Sequence, residues 1–421
     1  MKNAISFVLT LCLCLATKQA HGTDLQDLIA SLYGGDGITL RHNNHNPAFS
    51  HHAHFTGASL ERLQSISNVI AQVQTPALVA PAGIKFVFDP ILDDFVTAQA
   101  GLGPVLGNRP ETIGNRRWSF GLRISHTEYD KLNGQDLSQL QIDLQHLDIE
   151  GKGPNDPCIS GMAPHCYAFE KDVIRLDLDI DIASRQLDFS SQYGITDRWD
   201  VGIAIPVIRH KIKVRSFASI INDPSIQYFQ GRRLHVFDES TEDSRIDHVR
   251  GANTGLGDIA LISKYALANS ASSDMAMQVR LRLPTGDQKN LRGIEQYGAD
   301  LMWIAARKKS LDHGLLTFRG NIGVGINAIR NGQDVAVYLA GVEYDRSILG
   351  RQVGLSVAAN GQIGLLARGE TTLAKRHHLA VGVKLRLPKA GLASFALVTP
   401  LNEKGLRATI SYVAGIEWTF H

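Results

Sequence analysis

The chain has 421 residues, 44% of them hydrophobic, with 43 Lys+Arg against 41 Asp+Glu. Beyond its first twenty-odd residues no apolar run reaches the roughly 18 that a spanning helix needs, which excludes a helical membrane protein, and the composition is too apolar for a disordered one. The near-balanced charge excludes the long-range field that gathers nucleic acid.

Lys2, an apolar core from Ala4 to Ala16 and the closing Ala20-His21-Gly22 read as a secretory signal peptide over residues 1–22, with cleavage before Thr23. Its loss removes Lys2 and Lys18 and leaves 41 bases against 41 acids. Cys12 and Cys14 leave with it. Leu11 and Leu13 precede them where a lipoprotein site needs a small residue.

Residues 23–115 form an N-terminal extension of different character. His42, His45, His51, His52 and His54 place five of the chain's 16 histidines within a short arm. Imidazoles at this density can bind Zn, Cu or Ni, but no Cys or tight carboxylate partner accompanies them, and a polar segment with no fixed geometry is the plainer reading. Leu60, Leu63, Ile66, Ile70 and Val73 recur at three- and four-residue spacing, so Ser59 to Gln74 is expected to be a short amphipathic helix stopped by Pro76. Its apolar stripe needs a partner surface, either inside a barrel as a plug or at the periplasmic rim. Gly34-Gly35-Asp36-Gly37 and Gly101-Leu102-Gly103-Pro104 mark loops on either side.

From Arg116 the period becomes two. Ile174, Leu176, Leu178, Ile180 and Ile182 alternate with Arg175, Asp177, Asp179 and Asp181. Met275, Met277, Val279 and Leu281 alternate with Ala276, Gln278, Arg280 and Arg282 in the same way. So do Leu379, Val381, Val383, Leu385 and Leu387 with Ala380, Gly382, Lys384 and Arg386, and the final segment puts Leu406, Ala408, Ile410, Tyr412, Ala414, Ile416, Trp418 and Phe420 on one face. A soluble sandwich also alternates, but several of these runs reach ten residues, the length of a tilted membrane strand. Short turns at 194–197, 268–273, 310–313, 347–351 and 388–391 interleave with longer connections at 151–171, 216–254, 284–297 and 361–375, as on the two rims of an outer-membrane barrel. Trp118, Trp199 and Trp418 near strand ends suit an interfacial girdle, with Trp303 further in.

The expected fold is therefore all-β, a transmembrane antiparallel barrel over residues 116–421. About thirteen strands are visible, and an even count requires twelve or fourteen; Ile84–Phe88 or Phe95–Thr97 is the candidate for a missed one. The charges Asp177, Asp179, Asp181, Arg280, Arg282, Lys384 and Arg386 are expected to face the lumen and set selectivity. Cys158 and Cys166, in a Gly/Pro-rich loop of an exported chain, are expected to form a disulfide.

Catalytic signatures are missing: there is no Gly-x-Ser-x-Gly elbow, Walker A loop or His-Glu-x-x-His motif. Gly255-Leu256-Gly257-Asp258 lacks the third glycine of a dinucleotide loop. Ser125 and His126 point to opposite faces of a strand and cannot form a nucleophile-base contact. No enzyme and no cofactor are expected.

The stretch Tyr193-Gly194-Ile195-Thr196-Asp197-Arg198-Trp199-Asp200-Val201-Gly202 with Ala204-Ile205-Pro206-Val207 resembles the strand-turn-strand of outer-membrane barrels grouped with the MetA pathway of phenol degradation family. Gly255 to Ile259 leading to Lys264-Tyr265, Arg282-Leu283-Pro284-Thr285-Gly286-Asp287, Pro400-Leu401-Asn402 with Gly405-Leu406-Arg407, and Gly415 to Phe420 are similar too. The resemblance runs from Arg116 to the end and implies an outer-membrane channel for small hydrophobic or aromatic compounds. Barrels of this class commonly end on an aromatic residue read by the assembly machinery, whereas here His421 follows Phe420. The expected partners are the lipid bilayer, that machinery and a small-molecule permeant. A secreted or periplasmic β-rich metal- or ligand-binding protein is the second reading.

Overall fold

The computed structural model describes residues 24–34, 37–41, 52–71, 86–89, 94–97, 101–146, 172–221, 235–237, 243–327, 334–365, 375–388, 390–403 and 405–420. The signal peptide, His42, His45, His51, Cys158 and Cys166 lie outside the described residues.

One helix, α1 (Thr56–Ala71), precedes a small hairpin of β1 (Phe86–Asp89) and β2 (Asp94–Thr97). That hairpin forms its own two-stranded sheet, so neither of its strands is a missing barrel strand. Next come β3 (Trp118–Tyr129), the short β4 (Lys131–Leu132) and β5 (Gln135–Asp136), and β6 (Leu140–Gln145). A long hairpin follows, β7 (Val173–Gly194) and β8 (Trp199–Ile221), then β9 (Ser244–Leu256), β10 (Ala260–Asn269), β11 (Ser273–Arg282) and β12 (Gly298–Leu311). The rest is β13 (Gly314–Asn327), β14 (Val335–Ile348), β15 (Arg351–Gly364), β16 (Lys375–Leu387), β17 (Gly391–Pro400), the short β18 (Leu406–Arg407) and β19 (Ser411–Phe420).

The barrel runs β3-β7-β8-β10 and then in sequence through β17 to β19, which pairs with β3 and closes twelve antiparallel strands. Two chain segments that read as separate strands lie along the same barrel line. β9 pairs with Val207–Ser219 of β8 and β10 with Trp199–Ala204, so one strand path is interrupted at 257–259. β3 and β6 divide β7 in the same way. This accounts for the odd count from sequence. The longest expected connection, 216–254, is also shorter than anticipated, because β8 and β9 extend into it from both sides.

Trp118 pairs with Phe420, which puts both ends of the barrel on the rim that carries the short turns, the periplasmic rim of such barrels. Outward residues form an apolar belt that includes Ile124, Leu281, Ile322, Leu355, Val381 and Phe395, each at least two-fifths exposed. In water a patch this continuous would aggregate; against lipid tails it is the expected surface. Trp118 stacks on Phe120 at 6.0 Å and meets Tyr193 at 4.7 Å, and Phe420 joins Phe120, an aromatic cluster at the periplasmic edge.

β7 has 22 residues and β8 has 23, about twice what a membrane crossing needs. Their outer halves, flanked by β6 and β9, project past the barrel as a four-stranded extension. Here the sidedness reverses. On β7 the even-numbered residues face inward throughout: Gln186 and Asp188 line the lumen, while Ile174, Leu176, Leu178, Ile180 and Ile182 above them are buried. What covers these is the N-terminal segment, whose Leu25, Leu28, Ile29, Leu32, Ile38, Leu40, Phe55, Leu63 and Ile66 complete one hydrophobic core with them. Tyr33 hydrogen-bonds Ser216 on β8, and Arg41 N donates to Val236 O at 2.9 Å. The helix thus has an apolar partner surface, as its stripe requires, but at the outer mouth and neither inside the lumen nor at the periplasmic rim. It begins at Thr56, three residues earlier than expected, with Ser59 Oγ accepting from Ile38 N at 3.0 Å.

Candidate functional site

The lumen contains an irregular, bent segment, residues 101–114, in which Leu102, Val105, Asn108, Arg109, Glu111, Thr112 and Ile113 are all buried. It has no apolar periodicity and no regular secondary structure. Gly107 takes φ 96°, and a Cβ there would lie 2.5 Å from a Leu339 methyl, so a residue without a side chain is required where the segment presses on the wall. Gly194 meets the carbonyl of Gly114 as the segment leaves over the periplasmic rim; a Cβ on it would fall 1.8 Å from that oxygen.

Charged wall residues hold the segment. Lys264 Nζ donates to Glu111 O at 2.6 Å and lies 3.6 Å from Asp200, whose carboxylate accepts from Ile113 N at 3.0 Å and from Gln192 at 2.7 Å. The Glu111 carboxylate is 3.0 Å from Lys308, 3.3 Å from Arg109 and 3.9 Å from Arg319. Arg319 in turn grips Glu343 through two hydrogen bonds, 2.7 and 3.0 Å, and Lys308 also pairs with Asp274. Asp345 accepts from Leu102 N at 3.0 Å, and Lys384 donates to Leu102 O at 3.4 Å. Isolated charges buried this deeply would be prohibitive; interlocked with opposite charge and main-chain groups they fix the segment in place.

Above Leu106, Gly107 and Asn108 lies a cavity of about 280 Å³. Its walls mix apolar side chains such as Ile208, Met302 and Val413 with the cations Arg123, Arg376 and Arg407, and Asp188 is the one carboxylate among the lining residues. Leu291 and the β18 turn border it on the outer side.

Of the expected lumen charges, Arg280, Arg282, Lys384 and Arg386 sit on inward-facing positions. Arg280 pairs with Asp300 at 2.5 Å near the outer end of β11. Lys384 is fully buried against Leu102 and lies 3.9 Å from Glu417. Asp177, Asp179 and Asp181 do not face the lumen. They are exposed on the outer face of the extension, where Gln141 donates to Asp177 at 2.8 Å and Lys213 pairs with Asp181 at 3.0 Å. The alternation is as expected, but the apolar side of that strand is covered by the N-terminal segment, so its charged side meets water outside. Of the residues that hold the lumen segment, Asp200 and Lys264 fall within the stretches that carry the family resemblance, with nothing there to mark their role, and Lys308, Arg319 and Glu343 carry no sequence motif. Only their placement at polar positions within alternating strands marks them.

Of the histidine arm, His52 and His54 are described, and they part company. His52 Nδ1 is 2.6 Å from Leu40 O, whereas His54 meets His146 and His235. Burial, with His235 beside it, pushes the His54 imidazole down to about 4, so it is neutral at pH 7.

A closed twelve-stranded barrel with an apolar belt, an aromatic edge and a polar, charge-lined lumen is an outer-membrane β-barrel. No protein-family model and no curated protein match the chain. Solved structures do. An outer membrane channel from Pseudomonas putida F1 aligns over 74% of this chain and 97% of its own, at 14% identity and a TM-score of 0.41. A Pseudomonas aeruginosa FadL homologue aligns over 82% and 99%, at 9% identity and a TM-score of 0.32. The Ralstonia pickettii toluene transporter TbuX aligns over 73% and 90%, at 10% identity and a TM-score of 0.31. At these values the likeness is one of general barrel build.

Proposed function

We propose that the protein is an outer-membrane channel for small hydrophobic or aromatic compounds, and that the cavity above the lumen segment favours those that carry an anionic or hydrogen-bond-accepting group. The observation that carries this reading is the chamber itself. Its 280 Å³ is near the lower end of small-molecule sites, and its wall sets Arg123, Arg376 and Arg407 among apolar side chains. A soluble metal- or ligand-binding protein has no use for the outward apolar belt. Residues 101–114 close the periplasmic half, so passage requires the segment to shift against its charged anchors. Phe420, on the aromatic edge and followed by His421, is the aromatic residue we assign to recognition by the assembly machinery.

Proteoliposome uptake tests the reading. A small aromatic acid is expected to enter faster than an aromatic cation of equal size, and Arg376→Gln with Arg407→Gln is expected to reduce the difference several-fold. Equal uptake of both compounds by folded, inserted barrel, or none, refutes it.

A further inference from the structure

The outer extension brings together three histidines from distant parts of the chain. His54 stands just ahead of α1, His146 just beyond β6 and His235 in the connection after β8. His54 Nδ1 lies 2.9 Å from His146 Nε2, which lies 3.2 Å from His235 Nε2, and one nitrogen from each ring falls within 4.8 Å of the other two. Ligands about 2.05 Å from a tetrahedral metal are about 3.3 Å apart, close to the 2.9 and 3.2 Å found here.

The surroundings match a metal site in a second respect. Asp172, at the start of β7, puts Oδ2 2.6 Å from His235 Nδ1, and both residues are buried. A carboxylate on the far nitrogen keeps the proton there and turns the Nε2 lone pair toward His146, the arrangement that orients metal-bound imidazoles. Phe55 packs edge-on against both His146 and His235, at 5.2 and 5.8 Å, which fixes the rings and supplies an apolar shell. An all-imidazole set selects borderline transition ions over calcium or magnesium.

We infer that His54, His146 and His235 bind one divalent transition-metal ion, zinc being the test ion, with Asp172 as the carboxylate that orients His235. The ion ties the N-terminal segment to β6 and to the β8–β9 connection at the outer mouth. The site differs from the histidine-rich arm read from sequence, with which it shares only His54.

The test uses the full chain, folded in detergent, stripped with a chelator and dialysed, then titrated with zinc against a chromophoric competitor. One zinc per chain is expected. His54→Gln and His146→Gln are each expected to weaken binding at least 100-fold, and Asp172→Asn by 10- to 100-fold. Heat-modifiable gel mobility confirms that each variant retains the barrel, and His54, which lies on no barrel strand, provides the variant least able to disturb it. Folded wild-type protein that takes up less than stoichiometric zinc overturns the inference. So does uptake undiminished in the His54→Gln/His146→Gln/His235→Gln variant, which would place the metal elsewhere.

Discussion

Lys264, on the barrel wall, donates from Nζ to the main-chain carbonyl of Glu111 at 2.6 Å across a sequence separation of 153 residues. It is buried, and its ammonium also faces Asp200. One side chain therefore holds the lumen segment and neutralises the carboxylate that binds Ile113. Lys264→Met removes both links and strands Asp200. Breaking one partner of a buried charge pair costs about 3–5 kcal/mol. The barrel is expected to keep its heat-modifiable mobility but to unfold at lower temperature, with planar-bilayer recordings showing larger and more frequent openings. Unchanged conductance would mean that the segment is not the barrier.

The Arg319–Glu343 pair makes a different prediction. Glu343→Ala leaves a buried guanidinium that shares only Glu111 with Lys308 and Arg109 and is expected to destabilise the barrel by about 3 kcal/mol. Arg319→Met combined with Glu343→Leu removes both charges and should recover most of that loss while weakening the hold on Glu111. Thermal unfolding in detergent, compared across the single and double variants, measures it.

Ion preference should follow sidedness. Neutralising Arg280 and Arg282, which face the lumen, is expected to shift reversal potentials toward cations. Neutralising Asp177, Asp179 and Asp181 together is expected to leave them within error and to change stability little, since exposed ion pairs contribute about 0–1 kcal/mol each. A cation-to-anion shift from the aspartate variant would contradict their placement outside.

The covered face of the extension can be tested separately. Leu176 is fully buried between β7 and the N-terminal segment. Leu176→Ala is expected to cost about 2–5 kcal/mol of local packing. Limited proteolysis should then cut within residues 24–71 while the barrel remains intact on a gel. Equal resistance in wild type and variant would argue against this packing.

Much of the barrel is legible in the residues. Alternation from Met275 to Arg282 and from Leu379 to Leu387 gives strands with the correct face to lipid, because each has the same two solvents along its whole length. The run from Ile174 to Ile182 alternates as cleanly, yet its apolar face turns inward. Period records that one face is apolar; it does not record whether lipid or protein covers it. The lumen segment was hidden for another reason. Arg109 and Glu111 sit among glycines and prolines and read as loop, and their burial depends on Lys264, Lys308 and Arg319, at least 150 residues away. The histidines show the same limit: density within the arm drew attention to His42, His45, His51 and His52, whereas the ring facing His54 belongs to His146, 92 residues on.

The path of the lumen segment bears on how the molecule is put together. The described residues between 24 and 71 rest at the outer mouth, residues 101–114 lie within the barrel, and β3 starts at the periplasmic rim. A polypeptide exported into the periplasm thus has its first folded portion on the far side of its own barrel. The side chains that bind residues 101–114 come from β8 (Asp200), β10 (Lys264), β12 (Lys308), β13 (Arg319), β14 (Asp345) and β16 (Lys384), so the segment acquires its full hold only where those strands stand together around it.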